Sequence, residues 1–525
     1  MRGSGDRVSS ARALGDRVAV AIIAALWLVS TLLWLRPGIT RPDGVGYFAY
    51  LPSTYFDHDL VLFNEWQHFG MMSPDGVIAS EGISPNGHLA DHWTAGSAVV
   101  WYPAFVAANL LLPSFPRNGI SLPYNVAAIS ASAICGLATL LVGFIIARRF
   151  FTSPVALIAT IATWFGSSLM WYSTREALMS HAVGAAICAL VVLASIENQA
   201  LAAGIAAGLA FAVRPQNATF ILVPLILIGI RKWLPVAGGF VIGALPQIVV
   251  AIVLYGNPLS LYNVVQGPGG HAWYGWKAFE RVWPWQPVFS WYHGLATWTP
   301  LMIIGAAGLL LLFRSHVRLA SAALLMFGLQ WAINSSVDRF FWGGSSFGQR
   351  RFDNCTVFFL IGLAALFDVI PRWLAIAIAA AGSLWTMALF FAPINLNRYY
   401  APDELLGAVA HPKIHVDLFE SAPSNFKLDV LIVFGAIVVL YALIAAAVRA
   451  RPDVVAGTFC VVIAAWFAIC GFNDRAHLEA WSSVIAKNQS GALRDRLALM
   501  GDEEDYLRRS GNTAEAQRTA NEINE

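Results

Sequence analysis

The chain reads as an all-α integral membrane protein of about 13 transmembrane helices. Three observations predict this class. Of 525 residues, 58% are hydrophobic and only 12% are charged, against roughly 25% charged in a soluble domain. The mean hydropathy is +0.62. Apolar runs of about 20 residues, each long enough to cross about 30 Å of hydrocarbon, recur from one end to the other. A net charge of +2 carries no electrostatic footprint for a nucleic-acid partner. The five cysteines, Cys135, Cys188, Cys355, Cys460 and Cys470, lie in or beside apolar runs without metal or redox spacing. They read as small core residues rather than disulfide partners.

In chain order, Arg2, Arg7, Arg12 and Arg17 precede the apolar run Val18 to Leu35, and no small-residue cleavage site follows. This is the pattern of a retained anchor with a cytoplasmic N-terminus, not of a cleaved signal. The thirteen predicted spans are 18–36, 122–147, 154–173, 177–196, 199–213, 217–230, 233–255, 296–313, 319–335, 354–369, 373–391, 429–448 and 453–471. The stretch 95–113 is a further apolar run, and arginine distribution decides how to treat it. If it dips only into the outer leaflet, Arg148-Arg149, Arg231-Lys232, Arg314 and Arg318, Arg372, and Arg449 and Arg451 all fall inside. If it spans, they all move outside. We therefore expect 95–113 to be a re-entrant or interfacial helix.

That topology places loops 37–94, 256–295, 336–353 and 392–428, the tail 472–525, the short turn Ser173-Thr174-Arg175-Glu176 and the Arg214-Pro215-Gln216-Asn217 break on the outer face. The acids, histidines and tryptophans concentrate in these segments. The polar tail is expected to be a solvated periplasmic appendage without activity of its own.

Four groups of residues in these outer segments carry potential chemistry. Asp43 follows the first span within Thr40-Arg41-Pro42-Asp43-Gly44, and carboxylates this near a bilayer are costly and tend to be functional. Tyr47, Phe48, Tyr50, Leu51, Tyr55 and Phe56 then recur at helical spacing, as on an interfacial amphipathic helix. Asp57 and Asp59 form an acid-x-acid pair, and His92 follows in Ala90-Asp91-His92-Trp93; the plainer reading of any of these acids is a cap or a solvated loop charge. Glu176 and His181 mark the second outer turn, where capping or core packing is the plainer alternative. Arg214, Arg350 and Arg351 stand on the outer face against the positive-inside bias. Guanidinium groups beside Gly343-Gly344-Ser345-Ser346 suit phosphate, and pairing with Asp338 or Asp353 is the alternative. Loop 256–295 adds His271, Trp273, Tyr274, Trp276, Lys277, Trp283, Trp285, Trp291, Tyr292 and His293, either as interface-belt aromatics or as a sugar- or lipid-stacking groove.

This organisation resembles the GT-C superfamily of membrane glycosyltransferases, which includes oligosaccharyltransferase catalytic subunits, protein O-mannosyltransferases and the lipid A aminoarabinose transferase. The resemblance covers roughly 18–255 and lies in an acid after the first span, juxtamembrane helices in the first outer loop, and a second acidic turn. His293-Gly294-Leu295 and Phe347-Gly348-Gln349-Arg350-Arg351 look like patterns of bacterial GT-C-type proteins. The resemblance implies a GT-C-like catalytic module over 1–255 and a variable transmembrane module over 256–471, in a bacterial inner membrane with a periplasmic or extracellular active site. It also implies transfer of a hexosyl or pentosyl group from a polyprenyl-phosphate donor to a lipid, polysaccharide or protein acceptor. Asp43 matches the catalytic aspartate of the first loop, and Glu176 matches the second acidic position loosely. Asp57, Asp59, His92, His181, Arg214, His293, Arg350 and Arg351 are the candidate substrate-binding residues. If a divalent cation (Mg or Mn) takes part, Asp43 and Glu176 are its candidate ligands. A flippase or transporter of lipid-linked sugars and a non-catalytic GT-C-like subunit remain the rival readings. Against a transporter, the spans are nearly free of acids and show no internal repeat.

Overall fold

The structure, a computed structural model, describes residues 3–39, 42–78, 82–111, 116–258, 282–336, 341–417, 427–488 and 492–524, without side chains for 3–13 and 492–499. His271, Trp273, Tyr274, Trp276, Lys277 and Asp338 lie outside the described residues. The described residues are helical with no strand, apart from isolated bridges at Met72–Ile78 and Ile83–Leu89 in the first loop.

Eight helices among the described residues are long and apolar enough to cross a membrane, and six shorter apolar ones accompany them. A helix stands at each of the thirteen predicted spans. The helices are α1 (Gly3–Trp34), α2 (Pro42–Pro52), α3 (Phe63–His68), α4 (Gly96–Leu111), α5 (Leu122–Ala147), α6 (Ser153–Phe165), α7 (Leu169–Thr174), α8 (His181–Ile196) and α9 (Ala200–Val213). The chain continues through α10 (Pro215–Leu227), α11 (Trp233–Tyr255), α12 (Pro300–Arg314), α13 (Val317–Ser336), α14 (Thr356–Val369), α15 (Arg372–Phe391), α16 (Lys427–Ala450) and α17 (Pro452–Ala480). Two further helices, α18 (Ala492–Arg509) and α19 (Thr513–Asn524), close it.

Charge pairs show which helix ends lie together. Arg148, after α5, bonds Asp16 of α1 at 2.6 Å, and Arg149 reaches Glu197 after α8 at 2.5 Å. At the opposite end of α1, the Arg36 N–H donates to Thr174 O at 3.1 Å. Asp43, Glu176 and Arg350 belong to this second end, in agreement with the loop assignment by arginines.

Several elements differ from expectation. The predicted span 154–173 breaks at Gly166, where any Cβ would lie 2.4 Å from Leu301 Cδ1. The chain re-forms as α7 after Ser167-Ser168. Helix α2 is not an interfacial helix with one wet face, because Gly44 to Pro52 are all buried. Gly46 makes this possible: the Trp93 indole lies where a Cβ would be, 2.2 Å away. Helix α4, over the stretch expected to be re-entrant or interfacial, is 16 residues long, about 24 Å at 1.5 Å per residue, and stands among the shorter apolar helices rather than the eight long ones. Its start is tied to the end of α9: Thr94 Oγ1 donates to Val213 O at 2.7 Å, and Gly96 packs directly on the Ala212–Val213 backbone. The tail is not a solvated appendage. Helices α18 and α19 fold back and bury Met500, Tyr506, Leu507 and Ala516 against Trp283, Tyr292, Phe341, Trp342 and Tyr399. All five cysteines are buried and free.

Candidate active site

Three glycines shape the turn before α14. Gly343, Gly344 and Gly348 have φ of +77°, +70° and +62°, conformations costly for residues with a Cβ. His293, itself at φ +63° and buried, holds the turn from behind, with Nδ1 2.8 Å from Ser346 Oγ. Ser346 Oγ in turn lies 2.7 Å from Trp342 O and 3.1 Å from Gly348 O, to which it can donate. Burial, reinforced by the nearby Arg350 charge, pushes His293 down to about 3. It is therefore neutral at ordinary pH.

This turn delivers Arg350. Its Nη2 donates to Gly343 O at 2.8 Å, and Nη1 donates to Asp43 Oδ2 at 2.9 Å, joining residues 307 positions apart. Asp43 sits in the first turn of α2, where the helix dipole favours an anion. Its side chain is 26% exposed and that of Arg350 13%. Arg350 Nε is buried and has no hydrogen-bond partner among the described residues.

Glu176 joins the cluster electrostatically: the Arg350 guanidinium feels its carboxylate and the Tyr47 phenol as well as Asp43. Helix α8 begins at His181, not at Ala177, so Glu176 does not cap it. Glu176 is instead buried in an irregular turn between α7 and α8. The neighbouring Arg175 fastens that turn. Its Nε donates to Asp417 Oδ2 at 2.8 Å and Nη1 to Phe390 O at 2.6 Å, and its guanidinium lies 4.0 Å from the Phe390 ring centroid. Arg36 adds a second bond to Asp417 at 2.9 Å.

Beside Arg350 a narrow cleft of about 10 Å³ is lined by His181, Arg214, Arg351 and Asp353, with Gln216 and Asn217. Arg214 Nη1 approaches Nε2 of His181 at 2.9 Å. The same Nη1 lies 3.2 Å from Nδ1, which in turn is 3.5 Å from Asp353 Oδ2, while Ser168 bonds the other Asp353 oxygen. Asp353 is therefore held by Ser168 through one oxygen while its other oxygen has no hydrogen-bond partner among the described residues, whereas Arg350 is engaged by Asp43. The backbone carbonyl of Arg351 accepts from Gln216 Nε2 at 2.8 Å.

The structure thus brings together Asp43, Glu176, His181, Arg214, Arg350 and Arg351 of the sequence candidates, with His293 behind them. It does not bring Asp57 or Asp59 there. Both follow α2 at its far end, about 20 Å along the chain from Asp43 at helical rise. Asp59 bonds Ser53 at 2.8 Å and also His477 of α17. Asp57 accepts from Asn64 at 2.9 Å. His92 lies against Trp93, with 3.8 Å between ring centroids and the planes tilted by 30°. Sequence reasoning missed Ser168, Tyr172 and Asp417. Tyr172 accepts the Phe347 N–H at 2.8 Å, locking the Arg350 turn to α7. Ser168 follows Ser167 and Tyr172 opens the polar run Ser173-Thr174-Arg175-Glu176, and that polarity within a predicted span was their only signal. Among the described residues no group of three or more His, Cys, Asp or Glu side chains stands at metal-binding spacing.

An all-helical membrane protein with a mixed acid–arginine cluster at one end of its bundle is the class these observations define. No protein-family model and no curated protein matches the chain. Two solved structures are similar: ArnT from Cupriavidus metallidurans bound to undecaprenyl phosphate, and the same protein in the apo state. Each is 15% identical, with 92% of this chain and 79% of the other covered and a TM-score of 0.41. So loose a likeness carries no functional argument, and the reading below rests on the residues.

Proposed function

We propose that the chain is a glycosyltransferase that moves a hexosyl or pentosyl group from a polyprenyl-phosphate donor to a lipid, polysaccharide or protein acceptor, at the outer face of a bacterial inner membrane. The observation that carries this is the 2.9 Å contact of Asp43 with Arg350, at the edge of a cleft holding Arg214 and Arg351. One carboxylate and several guanidinium groups, converging from distant chain segments at one helix end, match what sugar transfer from a membrane-anchored phosphate demands.

In the proposed reaction the acceptor hydroxyl or amine attacks the anomeric carbon and its proton passes to Asp43, a positioned general base. The bond from that carbon to the phosphate oxygen breaks, and polyprenyl phosphate leaves with both electrons. A single displacement inverts the anomeric centre. Arg350 exchanges part of its contact with Asp43 for a phosphate oxygen, and Arg214 and Arg351 balance the remaining charge. The buried, unpartnered Nε–H of Arg350 supports this assignment, since an unmet donor costs about 1–3 kcal/mol and a phosphate oxygen would satisfy it. His181 and Glu176 orient the acceptor. A divalent cation at Asp43 and Glu176 remains a proposal on which no step above depends.

The test is transfer of radiolabelled sugar from a panel of polyprenyl-phosphate sugars, with wild type beside Asp43→Asn and with or without chelator. Product release that disappears in the variant supports the reading. Binding of undecaprenyl phosphate without turnover of any donor would instead favour a lipid-linked-sugar flippase.

A further inference from the structure

The folded-back tail places Tyr506 of α18 in a box of aromatic rings from separate outer segments. Its ring centroid lies 5.2 Å from Phe341, 5.4 Å from Tyr399, 5.7 Å from Tyr292, 5.9 Å from Trp283 and 6.1 Å from Trp342. Ring pairs at such distances contribute about 0.5–1.5 kcal/mol each beyond simple burial. Tyr292 in turn stacks on Trp342 at 5.2 Å with the planes 18° apart.

Two of these rings belong to the segment that builds the Arg350 turn. The carbonyl of Phe341 accepts from Gln349 Nε2 at 2.6 Å. The carbonyl of Trp342 accepts from Ser346, and that of Gly343 accepts from Arg350 itself at 2.8 Å. Three successive carbonyls thus form the scaffold on which Ser346, Gln349 and Arg350 are arranged. The scaffold runs directly into Gly343-Gly344, both at positive φ, where the backbone has the greatest freedom to lose. Such a turn needs an anchor outside itself, and Phe341 and Trp342, both fully buried, supply it under the tail.

We propose that Tyr506 is a positioning residue: by filling the aromatic box it holds the 341–350 turn in the shape that aims Arg350 at Asp43. The tail then completes the phosphate-binding end of the site without touching it. This inference rests on the reading of Arg350 as the phosphate-binding group.

The experiment measures undecaprenyl phosphate affinity on the full chain in detergent, for wild type, Tyr506→Ala, Tyr506→Phe, Arg350→Ala and the Tyr506→Ala/Arg350→Ala double variant. Tyr506→Ala is expected to weaken binding about tenfold, equivalent to about 1.4 kcal/mol. Tyr506→Phe keeps the ring and is expected to restore affinity. In the Arg350→Ala background, Tyr506→Ala should change nothing further, because its effect passes through Arg350. A merely structural role would lower the folded fraction in both backgrounds alike. If Arg350→Ala binds normally, the phosphate reading falls and this inference falls with it. If Arg350→Ala is impaired but Tyr506→Ala binds like wild type, or if the two losses add, only the positioning role is overturned.

Discussion

Replacing Asp43 with asparagine separates two roles the cluster combines. The substitution keeps the shape and one oxygen able to accept from Arg350, but removes the charge and the proton acceptor. Loss of a general base costs roughly 10²- to 10⁴-fold in rate. Donor affinity should move the other way. A unit charge pair at about 4 Å is worth about 1 kcal/mol in water and about 4 kcal/mol at an effective dielectric of 20. With Asp43 26% exposed, the attraction falls between these limits, and a donor phosphate must compete with all of it for Arg350. Removing the rival anion frees the guanidinium, so donor binding should stay equal or tighten by up to about tenfold, a gain of about 1.4 kcal/mol. The assay pairs single-turnover sugar transfer with direct titration of undecaprenyl phosphate, in protein shown monodisperse by size exclusion. Turnover at the wild-type rate would remove Asp43 as the base. Turnover lost together with donor binding would refute the competition, leaving Asp43 a binding or purely structural group.

Three further outcomes follow from the structure. Gly96→Ala should destabilise by about 3 kcal/mol or more, because backbone overlap in a packed interior cannot relax; its Cβ would fall 2.2 Å from Ala212 C, and a wild-type melting temperature in detergent would contradict the α4–α9 packing. Arg175→Ala should cost about 3 kcal/mol, as for breaking a buried ion pair, moderated by the remaining Arg36–Asp417 bond; unchanged melting would show that the 411–417 segment is not fastened this way. Glu65 is buried, and desolvation, with the Asp57 and Asp59 charges adding to it, holds its carboxyl well above the usual 4.5. A raised folded-state value means that stability is fully present below the unfolded pKa and is lost as pH rises through the folded one. Glu65→Gln should therefore gain on wild type as pH rises from 5 to 8, and a constant difference between their melting temperatures would contradict the shift.

Span positions were legible in the sequence because hydrophobic length is a direct consequence of bilayer thickness. The breaks within spans were harder to read. At Gly166, where a helix ends, a Cβ would meet Leu301, and no local pattern encodes a neighbour so distant in the chain. Helix α2 carried the spacing of an interfacial helix, yet Trp93, more than forty residues later in the sequence, covers it through Gly46. The tail misled for a related reason: its composition is that of a solvated segment, and the few apolar groups that dock it, Met500, Tyr506, Leu507 and Ala516, are too sparse to show against the surrounding charge.

The site was more legible than these details, for an electrostatic reason. In a chain with so few charges, each acid or arginine held near an apolar helix end must have a partner or a purpose. Asp43, Glu176, Arg214, Arg350 and Arg351 stood out individually on that ground, and the fold gathers them. Asp57 and Asp59 stood out equally. They differ in lying at the end of α2 where Ser53, Asn64 and His477 already engage them, so the same excess of charge there closes a structural joint between the first loop and α17. What distinguishes the Asp43 end is the sign of its charge: three arginines, Arg214, Arg350 and Arg351, line one narrow cleft there. Arg350 keeps an unmet donor beside that cleft, and a cation held in place by its turn but not saturated by its neighbours is positioned to receive an anion from outside the chain.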